Sequence, residues 1–173
     1  MREDGSAMSS SDLCRGCGLC CDGNLFSHVP LERAELPSAR RQGLAVVELP
    51  EGAALRQCCP ALEARVCSVY ATRPEACRRY HCRLLTSLTR GEVSLEQALA
   101  VVDRAHALLA EVEQGLEPEA DRLVSVLERA RYAGWGGDPE SVSRTSAARE
   151  RAENFLDTHF HGGPRRFTGP AGE

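Results

Sequence analysis

The chain contains no lysine; all 21 of its basic residues are arginine. That bias reads as genomic base composition before it reads as a selection of planar anion-binding groups. Aromatic residues are scarce, with one Trp, three Tyr and four Phe in 173 residues. A core must therefore be built mainly from Leu, Val and Ala. No stretch approaches the roughly 20 consecutive apolar residues of a transmembrane helix. Residues 1–13 are polar and acidic and lack the apolar centre of a secretory signal. A cytoplasmic location without membrane contact is expected. The formal net charge of −4 gives no general attraction to nucleic acid. Also missing are a Gly-rich phosphate loop, an H-E-x-x-H helix and a persuasive Ser-His-Asp order. Carboxylates are scattered, and no acid–base pair stands out. Whether the protein is an enzyme is left open.

One further absence organises the rest. After Cys82 there is no cysteine, and all nine fall before residue 83. Four lie in the run Cys14-Arg15-Gly16-Cys17-Gly18-Leu19-Cys20-Cys21, followed by Cys58, Cys59, Cys67, Cys77 and Cys82. In a reducing cytosol structural disulfides are rare, so a dense Cys pattern points to metal or catalysis. Two residues between thiolates let a tight turn aim both sulfurs at one ion, and Cys14, Cys17 and Cys20 repeat that spacing. The same C-x2-C-x2-C run matches three ligands of a ferredoxin-type cluster, whose fourth ligand precedes proline, as Cys59 precedes Pro60. Successive side chains point in different directions, so Cys20 and Cys21 are not expected to face one ion, nor are Cys58 and Cys59. Two four-Cys sites would use eight thiols and leave Cys58 spare; a single site with reactive thiols beside it is the other arrangement.

These motifs resemble a known family. Cys14-x2-Cys17-x2-Cys20-Cys21, then Cys59-Pro60-Ala61-Leu62, then Cys67-Ser68-Val69-Tyr70-x2-Arg73-Pro74-x2-Cys77-Arg78 is similar to the bacterial YkgJ-type cysteine-cluster family, also called CxxCxxCC. That family is described as chelating zinc or iron. The resemblance covers about residues 13–83 and implies Cys14, Cys17, Cys20, Cys21, Cys59, Cys67 and Cys77 as chelating residues, with Cys82 at a frequent further position and Cys58 an extra. A related domain occurs in flagellin lysine N-methylases, which are larger; no methyl-donor motif is visible here.

The expected architecture is an α-rich, irregular, metal-stabilised Cys-cluster module with little strand, followed by about three packed helices. Its parts would be a flexible leader (1–12), the metal-binding module (13–92), a helical extension (93–160) and a disordered tail (161–173). A brief helix is expected over Leu31–Leu36, stopped by Pro37. A strand is expected over Leu44–Leu49, an extended piece over Val66–Tyr70, and a helix from Pro74 to about Cys82. Ser94-Leu95-Glu96-Gln97 is a capping box opening a helix to about Gln114. Further helices are expected over Glu119–Tyr132 and from Asp138-Pro139 to about His159, separated by a turn at Gly134–Gly137 that carries Trp135.

The expected cofactor is an iron–sulfur cluster (4Fe-4S type), slightly favoured by the Cys spacing, or Zn2+. His81 and His28 are read first as ordinary half-buried or surface histidines, His106 as core or boundary, and the His159/His161 pair as a weak metal trap. Three roles fit: a redox or group-transfer enzyme, a zinc-stabilised module whose helices bind a protein partner, and a metal storage or delivery protein.

Overall fold

A computed structural model describes residues 5–117, 123–132 and 138–161, with side chains from residue 10 onward. The chain opens with helix α1 (Gly5–Cys17), so residues 5–12 of the expected leader are helical. Gly16 lies inside α1 with nothing near the position of a Cβ, and one interior Gly costs a helix only about 1 kcal/mol. Leu13 (2% exposed) and the completely buried Leu19 anchor this segment. The helix stops at Gly18, whose φ of +70° suits a residue without a Cβ. The Cys21 and Asp22 N–H groups then donate back to the Gly18 carbonyl.

Five short strands form two small sheets. The first has order β1–β3–β2, all antiparallel: β1 (His28–Pro30), β2 (Val46–Leu49) and β3 (Gly52–Arg56), with Val29 and Val46 both opposite Leu55. The second is the hairpin β4 (Leu62–Glu63) and β5 (Val66–Cys67). Between β1 and β2 a 3-10 turn runs into helix α2 (Leu36–Arg41). Pro37 sits in the first turn of α2 and does not end a helix there, because a first-turn residue has no intrahelical N–H bond to lose. The expected strand over 44–49 begins two residues later, at Val46.

Helix α3 (Glu75–Arg79) follows Pro74. It does not run on to Cys82; the chain is extended at Tyr80, and Cys82 caps a separate helix, α4 (Arg83–Thr89). Then come α5 (Leu95–Gln114), α6 (Val126–Tyr132) and α7 (Pro139–His159). The capping box at Ser94 and Gln97 is present, and Asp138 caps α7. Helix α6 starts later than expected because Ser125 caps it, its Oγ accepting from the Glu128 N–H at 3.3 Å. The expected Trp135 turn and residues 162–173 of the expected tail lie outside the described residues. Helix thus dominates, as expected. The anticipated scarcity of strand and a simple set of three packed helices match only loosely, since seven α-helices and two sheets occur among the described residues. None of those helices is long and apolar enough to cross a membrane.

Apolar burial is divided between two cores. The larger joins α1, α4, α5, α6 and α7 around Val102, Val112, Leu156 and Phe160, all at most 2% exposed. The smaller lies under the three-stranded sheet and consists of Val29, Leu31, Ala39, Leu44, Leu55 and Ala61.

Candidate metal centre

A cavity of about 650 Å3 opens between the two cores. Eight of the nine cysteines line it: Cys14, Cys17, Cys20, Cys21, Cys59, Cys67, Cys77 and Cys82. Cys58 does not; its thiol turns away and donates to the Asp22 carbonyl at 2.9 Å. All nine thiols are free, so no sulfur of this set is tied off in a disulfide.

The chain delivers these sulfurs from six local structures. Cys14 and Cys17 lie three residues apart on α1 and so share a face. Cys20 and Cys21 follow in the Gly18 turn. Cys59 is held beside them by its N–H, which donates to the Cys21 carbonyl at 2.7 Å. Cys67 lies on β5 and Cys77 on α3. Cys82 is the N-cap of α4, its Sγ accepting from the Leu85 N–H at 3.3 Å.

Electrostatics divides the eight into two sets. Burial raises the Cys17 thiol to about 12, helped by Cys82 and Cys14, while the Leu19 N–H opposes. Cys20 is raised by burial and then by Cys17, Cys82, Cys21 and Cys14. Burial also raises Cys21, but the thiols acting on it are Cys59, Cys67 and Cys77. Cys77 is raised to about 11 by burial, then by Cys59 and Cys67, with Arg73 opposing. One set is thus Cys14, Cys17, Cys20 and Cys82; the other is Cys21, Cys59, Cys67 and Cys77. Packing agrees for five of the eight. Cys14, Cys17 and Cys82 rest against the helical core, whereas Cys59 and Cys77 rest against the sheet core.

Burial disfavours a bare thiolate at seven of these eight cysteines, so a set of negative sulfurs requires cations. Soft thiolate donors select zinc and iron–sulfur groups, and the donor set fits either. Among the described residues, no group of three or more Cys, His, Asp or Glu has a geometry that would hold a metal ion as it stands. The sulfurs surround the cavity without closing on a point.

Arginine supplies the positive charge. The Arg73 guanidinium lies 3.6 Å above the Tyr70 ring, with Arg15 at 5.4 Å from the same ring. Arg73 opposes the burial-driven rise of both Cys14 and Cys77, one from each set.

Two neighbours of the sulfurs have roles their sequence positions do not announce. Tyr80 packs edge-on against Phe26 with centroids 5.0 Å apart. Its hydroxyl pKa is raised by burial and then by Cys20, Cys82 and Cys17, which puts it beside the first set. His106, on the apolar stripe of α5, donates from Nε2 to the Cys17 carbonyl at 2.7 Å. His81 and His28 line the cavity, and His28 Nδ1 lies 3.0 Å from Ser27 Oγ. His161 is held between Asp157 and the Leu25 carbonyl, and His159 stacks near Phe155 at 4.3 Å.

Residues 13–98 match the family model CxxCxxCC, described as "Putative zinc- or iron-chelating domain". The match takes in all nine cysteines and ends just inside α5. No curated protein and no solved structure matches the chain.

Proposed function

Since the chain belongs, through residues 13–98, to the CxxCxxCC family of zinc- or iron-chelating domains, we propose that it chelates two metal groups side by side. Cys14, Cys17, Cys20 and Cys82 hold one; Cys21, Cys59, Cys67 and Cys77 hold the other. What supports this reading is packing: Cys14, Cys17 and Cys82 rest on the helical core, while Cys59 and Cys77 rest on the sheet core. The thiols acting on Cys17 and on Cys21 fall the same way, with the two sets meeting where Cys21 also acts on Cys20.

Four sulfurs around one centre leave no vacant position, the arrangement of a structural site more than of a hydrolytic one. The metal then serves first to hold the module together. Metal uptake and local ordering then form one event. Either iron–sulfur groups or zinc ions satisfy the donors.

The test is metal content with a visible spectrum, on protein purified without oxygen. Cys17→Ser and Cys77→Ser should each remove about half of the metal, because each breaks a single four-ligand set; the double variant should remove nearly all. Cys58→Ser should leave it unchanged. If either single variant empties both groups, or if Cys58→Ser matches them, the division into two sets is wrong.

A further inference from the structure

We infer that Arg73 is the counter-charge shared by both thiol sets, so that filling the second set depends on this one guanidinium. The inference rests on the two-group reading above. Four thiolates around a divalent ion carry a net charge of −2, and two such groups in one cavity repel each other. A cation fixed between them lessens that repulsion only if it cannot swing away into solvent. Arg73 is fixed in that way. It precedes α3, which carries Cys77, and lines the same cavity as Cys14 of α1.

Its guanidinium stacks on Tyr70 and donates from Nη1 to the Tyr70 carbonyl at 3.3 Å. Tyr70 is itself tied to α1, its hydroxyl donating to the Ser11 carbonyl at 3.3 Å. Arg78 braces the backbone from behind, donating to the Arg73 carbonyl at 3.0 Å and the Ala71 carbonyl at 2.7 Å. Among the described residues no carboxylate forms an ion pair with Arg73, whereas the nearby Arg79 pairs with Glu75 at 3.4 Å. Arg73 therefore has its whole charge to offer the sulfurs. A guanidinium also never loses its proton near neutral pH, so the compensation is constant.

The experiment titrates Zn2+ into the reduced, metal-free full chain under anaerobic conditions. Heat is recorded during the titration, and bound zinc is counted by elemental analysis. The wild-type chain should take up two equivalents. Arg73→Gln should weaken the second equivalent by about ten- to a hundredfold, within the ordinary range of coupling between sites, and the first by less than about threefold. Arg73→Lys, which keeps the charge but loses the flat stack on Tyr70, should recover most of the second equivalent. Arg79→Gln removes a cation already paired with Glu75 and should alter neither.

The inference is overturned if the wild type binds two equivalents and Arg73→Gln binds both as tightly, or if Arg79→Gln costs as much as Arg73→Gln. Should Arg73→Gln fail to fold, Arg73→Lys decides: near-normal uptake of the second equivalent supports the charge role, and its loss overturns it. A wild-type chain that binds fewer than two equivalents defeats the two-group reading itself, a result distinct from the others.

Discussion

The helical core and the sheet core sit on opposite sides of one cavity and are held by different means. Helices α5 and α7 meet along Ala98, Val102, Ala105, Val112, Ala152 and Leu156, all at most 2% exposed. Apolar surface of that extent, at roughly 25 cal/mol per Å2, sustains packing without help. The sheet core has only six buried residues, two of them alanine. Its strands are two to five residues long, and such short pieces are marginal unless something else ties them. The sulfurs of Cys59, Cys67 and Cys77 stand where that tie is required. One half of the chain is thus able to order itself through hydrocarbon, while the other, on the two-group proposal, leans on an inorganic centre.

Removing metal breaks this comparison most severely. With a chelator under reducing conditions, backbone hydrogen exchange should become fast across the sheet and α3 and stay slow in the middle of α5 and α7. Structural zinc in small domains contributes about 10 kcal/mol or more of folding energy. Equal loss of protection in both halves would show that they are not energetically distinct.

Next in size is the asymmetry between ligand variants. Cys77→Ser should lower the thermal midpoint more than Cys17→Ser, because Cys17 leans on the larger core. A reversed order in calorimetry would place the dependence on the helical side. Truncating that larger core should act differently again. Leu156→Ala should cost about 2–5 kcal/mol in denaturant melts with metal content unchanged. Leu19→Ala should cost a similar amount and also reduce bound metal, since Leu19 plugs the helical core from between Cys17 and Cys20. The smallest effect belongs to Ser94→Ala, which removes the cap of α5 and should cost about 1 kcal/mol without touching the metal.

How much could be read from the chain follows the same divide. Helix α5 was legible to the residue from its capping box and stripe, and α7 from Asp138-Pro139, because both rest on local chemistry. Strand β3 was not. Gly52-Ala53-Ala54-Leu55-Arg56 has no β-branched residue, and it becomes the central strand only because β1 and β2 flank it. Propensity gives way to tertiary pairing there. Helix α1 was hidden by its glycines and serines, whose weak helical preference is outweighed by burial of Leu13 and Leu19. The eight cysteines that line the cavity are those the family resemblance implies, with Cys58 an extra; spacing and adjacency alone leave open which member of each adjacent pair stands apart. The parts played by Tyr80 and His106 were not, since each depends on a neighbour far along the chain: His106 meets Cys17 across 89 positions.

The peptide joining Cys20 to Cys21 has a consequence for how such a molecule can change. Adjacent Cα atoms are only about 3.8 Å apart, and these two residues turn toward different partners. One extra amino acid inserted at that junction would lengthen every sulfur-to-sulfur path that crosses it and swing one half out of alignment with its neighbour. The exposed turn at residues 90–92 between α4 and α5 carries no such constraint; this bond does.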